Sequence, residues 1–172
     1  MAGIVRFTAA VAAGAAMLAA APLQARMVEG WEVARSQQGA CMMTAIFDDE
    51  SDSGIALSLV WTKADGQLGF LAASKNWGAL MKREGDPAAL QLTFDGDVPY
   101  SQWLHEKARF RNLGTNEAII GYWGAENSAR LAEAVTGSRE VAVKIGETDL
   151  GAFDISGAGA AYRELLRCGE RW

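Results

Sequence analysis

Histidine is nearly missing from this chain: His105 is the only one in 172 residues. A zinc site draws on several His or Cys ligands. One histidine and two cysteines, Cys41 and Cys168, set 127 positions apart, supply too few. A hydrolytic triad needs a nucleophile, a base and an orienting acid. Ser101 stands four residues before His105 and would share a helical face with it, but no Gly-x-Ser-x-Gly elbow exists. Gly157 and Gly159 lack the third glycine and the βαβ frame of a dinucleotide fingerprint, and no phosphate loop occurs. No catalytic residue, cofactor or metal is therefore expected.

A basic excess is also missing. Sixteen Lys and Arg stand against 21 Asp and Glu, a net charge of −5. Phosphate contacts require clustered cations, so nucleic acid is excluded as a partner, and anionic membrane surfaces fit poorly. No apolar run reaches the roughly 20 residues of a membrane span. The run from Phe7 to Ala21 follows a short start carrying Arg6 and precedes Leu23-Gln24-Ala25. That order of charge, apolar stretch and small residue is the layout of a secretory signal peptide. No cysteine follows it directly, which excludes a lipid anchor. The expected organisation is a signal at residues 1–25 and one domain over 26–172, periplasmic or secreted, with no transmembrane segment in the mature chain. Removing Arg6 leaves 15 basic and 21 acidic side chains, a net charge of −6.

Export gives meaning to the two cysteines. An oxidising compartment favours pairing, so Cys41 and Cys168 are expected to form a disulfide that ties the two ends of the domain. Closing so long a loop stabilises by about 4.7 kcal/mol or slightly more in the chain-entropy model.

The rest of the chain reads as short strands. Arg26 to Gly30 looks like a frayed start. Strands are predicted at Trp31–Ala34, Cys41–Phe47, Ile55–Trp61, Gln67–Ala72, Leu90–Phe94, Ala108–Arg111, Ala118–Trp123, Val141–Ile145 and Leu150–Ile155, by alternation and by turn residues at their ends. Asp48 to Gly54 carries four carboxylates, but its Gly falls one place late for a Ca²⁺ loop, so a solvated turn is expected. Short helices are predicted over Trp77–Glu84, from Asn127 or Ser128 to Gly137, and over the C-terminus. Val98 to Leu113 reads as a loop or short helix leading into a strand. In the last helix Ala158, Ala161, Tyr162, Leu165 and Cys168 share one face. Arg163, Glu164 and Arg167 are placed outside, and Gly169 at the stop. No strand-helix alternation supports a parallel sheet. The fold class is mainly β: an antiparallel sandwich or barrel-like domain with two or three short helices.

The pattern of Trp31, the Cys41 strand, Val141-Ala142-Val143 and Phe153-x-Ile155-x-Gly157-x-x-x-Ala161-x-x-x-Leu165-x-x-Cys168 resembles small exported proteins of α-proteobacteria. It is remotely similar to the invasion-associated locus B family, although the additional cysteines typical of that family are absent. The resemblance implies a periplasmic or surface-associated, β-sandwich-like protein with no known catalytic centre.

The six tryptophans all lie beyond residue 25. Trp31, Trp61 and Trp123 fall in strands and read as core. Trp77, Tyr100 and Trp103 lie near turns and are the candidate contact residues, since Trp and Tyr serve as binding anchors. Asp95, Asp97, Glu106 and Glu117 could supply a glycosidase carboxylate pair, though surface turns account for them. The leading expectation is a non-enzymatic binding protein whose partner is another envelope protein or a small apolar or glycan ligand. The alternatives are an envelope hydrolase and a purely structural envelope protein.

Overall fold

Alternation of large apolar with polar or small residues builds the strands, and turn residues separate them. The computed structural model describes residues 25–35, 40–47, 54–62, 66–75, 77, 80, 84–95, 102–114 and 116–170, with backbone alone over 102–107. The ten strands are β1 (Ala25–Val28), β2 (Trp31–Arg35), β3 (Cys41–Phe47), β4 (Ile55–Thr62), β5 (Gln67–Ser74), β6 (Pro87–Phe94), β7 (Gln102–Asn112), β8 (Glu117–Trp123), β9 (Glu140–Ile145) and β10 (Thr148–Asp154). Two helices, α1 (Ala125–Gly137) and α2 (Ala158–Glu170), join them. All pairings are antiparallel in one open sheet of order β1-β2-β3-β4-β5-β8-β7-β6-β9-β10.

The sheet curls on itself. Trp31 and Leu57 near one end line the same interior as Phe94, Val141 and Ile155 near the other. Phe47 on β3 meets Phe153 on β10, with ring centroids 5.1 Å apart. The inner face carries the bulk: Met43, Leu57, Leu59, Leu68, Leu90, Leu92 and Ile119 are all sealed from water. Each such side chain contributes about 1.5–3 kcal/mol on burial. Leu131 and Val135 of α1, and Ala158, Ala161 and Leu165 of α2, fill the space inside the curl.

Several local expectations are corrected. Arg26 to Val28 are not frayed: β1 pairs with β2 through a tight turn in which Glu29 and Gly30 both adopt positive φ, 47° and 87°. Such a turn matches the right-handed twist of the strands it joins. Val98–Leu113 is no helix from Gln102 onward, because β7 runs eleven residues. Its visible end alternates buried Ala108 and Phe110 with outward Arg109 and Arg111. Helix α1 begins at Ala125, with Gly124 at its cap. Ser128 sits inside the first turn, where its hydroxyl donates to the Trp123 carbonyl at 2.7 Å and accepts the Leu68 N–H at 2.9 Å. Trp77 and Leu80 share one backbone hydrogen bond of 3.0 Å, and much of the helix predicted between them and Glu84 lies outside the described residues. The acidic turn Asp48–Ser53 also lies outside them.

In α2, Gly169 is no stop. It lies within the helix, and the Trp61 ring packs so closely on it that a Cβ there would overlap the ring. Glu164 faces inward rather than out and is 8% exposed. Cys168 does reach the sheet, and the Cys41–Cys168 disulfide forms. The chain ends are tied a second way: at Gly157 (φ 87°) a Cβ would stand 2.6 Å from the Glu29 carbonyl, so the β1–β2 turn abuts the turn into α2.

Candidate functional site

The described carboxylate candidates hold backbone. Asp95 Oδ1 accepts the N–H groups of Arg139 and Glu140, both at 2.9 Å, while the Ser138 hydroxyl donates to the Asp95 carbonyl at 2.6 Å. These bonds fasten the α1–β9 turn to the end of β6. Glu117 Oε2 accepts the Trp77 N–H at 2.8 Å, and the Glu117 carbonyl accepts the Trp77 indole N–H at 2.6 Å. Asp97 and the side chain of Glu106 lie outside the described residues, as do Ser101 and the side chain of His105. The helical face proposed for Ser101 and His105 does not exist at His105, a strand residue paired with Leu90. No cluster of three or more potential metal ligands occurs among the described residues.

Trp77 is 6% exposed, and both its donors are spent on Glu117. Its packing is that of a core residue and not of an exposed anchor. Trp103 pairs with Leu92 in the β6–β7 ladder, while its side chain and all of Tyr100 lie outside the described residues. Trp31 and Trp123 are core, and Trp61 packs at the core's edge against α2.

One buried charge stands out on the core side. Glu164 receives Arg26 at 3.1 Å and Arg167 at 3.2 Å. Burial alone would push its carboxyl up, but the hydrogen bond from Arg167 and the charge and hydrogen bond of Arg26 outweigh it and hold the group below its ordinary value. This clasp joins β1 to α2 beside the disulfide. It ties protein groups to one another. The interior holds a void of about 10 Å³ ringed by Trp31, Phe70, Phe94 and Val135. That is barely the room of one water, far below a ligand pocket.

The opposite face of the sheet is different. Antiparallel sheets with one face in water place polar residues outward. Here the outward positions of β3, β4, β5 and β8 carry no charge. One row crosses the strands as Ala34, Met42, Val60, Gly69 and Tyr122. The next runs Met27, Glu32, Thr44, Ser58, Leu71, Ile120 and Arg109. The third runs Ile46, Ala56, Ala73, Ala118 and Arg111. The described large apolar side chains that are most exposed, Met27 (66%), Ile46 (57%) and Tyr122 (41%), all stand on this face. Leu71, Ala73 and Ala118 form a small apolar cluster of their own at its centre, with Leu113 and Ile120 against it. Thr44 and Ser58 satisfy each other at 2.9 Å. The Tyr122 ring lies over Gly69, where a Cβ would stand 2.7 Å from it. Burial raises the Tyr122 hydroxyl above its ordinary pKa, against the charge of Arg111.

Sequence reasoning missed this face. Its signal was the run Ile55 to Val60, apolar on both faces except at Ser58, where all six side chains are buried. A strand apolar on both sides is covered on both sides or made to be covered.

Comparison with known proteins bears on the fold. No protein-family model matches the chain, and no curated protein matches it. Among solved structures, the chain is similar to invasion associated protein B from Bartonella henselae, with a TM-score of 0.60 and 12% identity. The match covers 86% of this chain and 99% of that one. At that identity the likeness is one of fold, and it establishes the remote similarity that the terminal pattern suggested.

Proposed function

We propose that this chain is an exported, non-enzymatic binding protein that engages its partner through the outer face of β3, β4, β5 and β8. The observation that carries the reading is the charge-free face itself, with Ile46 and Tyr122 exposed upon it. The centre of the face is buried, and the exposed apolar side chains stand at its edges, where a partner would meet them. The disulfide supports export, and no described helix is long and apolar enough to cross a membrane. Residues 1–25 act as the cleaved signal and 26–172 as one domain in the periplasm or at the cell surface. Cleavage after Ala25 leaves Arg26, Met27 and Val28 paired with Val33, Glu32 and Trp31. A wide, shallow face suits another envelope protein better than a small apolar or glycan ligand, which concave sites enclose. Tyr100 and Trp103 remain further contact residues in this reading, whereas Trp77 is committed to Glu117.

A photo-reactive residue placed at Ile46 or Tyr122 in the exported protein tests the reading. Adducts from both positions, with none from Arg163 on the exposed side of α2, support it. Equal yields from all three positions, or no adduct from Ile46 and Tyr122, end it.

A further inference from the structure

We propose that the Cys41–Cys168 disulfide is a thiol-exchange site with a fixed direction: an incoming thiolate attacks the Cys168 sulfur, and Cys41 leaves as a thiolate beside Arg35. The partner is the reactive dithiol of a disulfide oxidoreductase, which makes or breaks the bond through that one sulfur. The inference is independent of the outer face and its partner.

The two sulfurs differ in reach. Cys41 is 1% exposed and belongs to the closed core. Its register partners are Arg35 on β2 and Trp61 on β4. Cys168 lies in the last turn of α2 and is only half-buried. A thiolate arriving from solvent meets Cys168, and the core shuts it off from Cys41.

They differ also in which can carry charge. Exchange is faster when the leaving sulfur has the lower pKa. Cys168 stands at the C-terminal end of a helix, where the macrodipole disfavours a negative group. Its neighbour Arg167 is engaged by Glu164 at 3.2 Å. Cys41 is better placed. Arg35 shares the inner face of β2 with Trp31 and Val33, directly opposite Cys41. Opposed residues on one face hold their Cβ atoms roughly 4.5–5.5 Å apart. A cation at that range lowers a thiol's pKa. The Arg35 Nε is sealed from water, so salt screens the attraction little.

The step balances. The incoming thiolate bonds to Cys168 Sγ, the Sγ–Sγ bond breaks, and its electron pair leaves on Cys41. The second thiolate of the dithiol then attacks the incoming sulfur and releases Cys168. The protein gains two electrons and two protons, and the dithiol is oxidised to a disulfide. In reverse, the same mixed disulfide at Cys168 delivers the bond during folding. Ala161 and Leu165, both sealed in the core, and the Glu164–Arg26 contact keep α2 on the sheet meanwhile. Exchange therefore needs no unfolding.

Brief exposure of the folded, disulfide-bonded parent protein to reduced glutathione, with an acid quench and peptide mapping, tests the proposal. Glutathione is expected on Cys168 in about tenfold excess or more over Cys41. Arg35→Gln should slow the exchange roughly threefold to tenfold, through a higher pKa of the leaving sulfur, and Arg35→Lys should restore most of the rate. Adducts shared evenly between the two cysteines, or found mainly on Cys41, overturn the proposal. So does exchange that begins only when denaturant unfolds the parent, or an Arg35→Gln rate equal to the parent's.

Discussion

The two faces of one sheet are built differently. On β4, the inward set Ile55, Leu57 and Leu59 is large and belongs to the main core, with Trp31, Phe70 and Val135. The outward set Ala56, Ser58 and Val60 is small, equally apolar in tone, and lies apart from that core. The inner face fills a curled interior that two helices close. On the outer face the outward positions of β3, β4, β5 and β8 carry no charge, and those at its centre are small and buried apart from the main core. Size measures what a strand gives to the fold.

The comparison can be broken in graded steps. The largest loss should follow Cys168→Ser, which frees a loop of 127 residues and should cost about 2–5 kcal/mol, read as a fall of several degrees or more in Tm under oxidising conditions. Leu57→Ala on the inner face should cost about 2–5 kcal/mol through lost burial and the cavity left behind, measured by chemical unfolding. Gly157→Ala should cost about 1–3 kcal/mol, because it strains a left-handed residue against the Glu29 carbonyl. Glu164 governs an acid limb. Its carboxyl is held below the ordinary value in the fold, so it contributes stability above the unfolded pKa and loses it as pH falls through the lower folded one. Glu164→Gln should lower stability at neutral pH and flatten the fall in Tm on acidification; an unchanged acid slope would show that the clasp with Arg26 and Arg167 carries no net energy. The smallest effect should come from the outer rim, where Ile46→Ser should change stability by no more than about 0.5 kcal/mol.

Much of this architecture was legible in the sequence where a local pattern governs it. Strand β3 matches its expected bounds because Cys41, Met43 and Ala45 alternate with polar or outward residues between turns. The stripe of α2 and its cysteine were legible for the same reason, and the disulfide was expected from the compartment that the N-terminal pattern suggests. Strand β1 was missed because it is four residues long and follows closely on the apolar N-terminal stretch, so its only cue was the turn at Glu29-Gly30. The visible end of β7 was partly foreseen, since Ala108 and Phe110 alternate with Arg109 and Arg111. Glu164 and Gly169 could not be placed from spacing alone. A carboxylate is drawn inward only when Arg26 arrives from the far end of the chain. A glycine stays in a helix when a Trp61 ring needs its space. Trp77 shows the same dependence on a distant partner. Trp77 looks like an exposed anchor until Glu117, forty residues away, takes both its N–H groups.

The division between the faces is tested most directly by Ile46→Asp, with Tm and cross-linking yield read on the same disulfide-bonded protein. The expected result is a Tm within about a degree or two of the parent, as for an exposed substitution, together with loss of the adducts formed from Tyr122. A Tm that falls as far as that of Leu57→Ala would make the outer face part of the fold's own support. Undiminished adducts from Tyr122 would remove it from the contact.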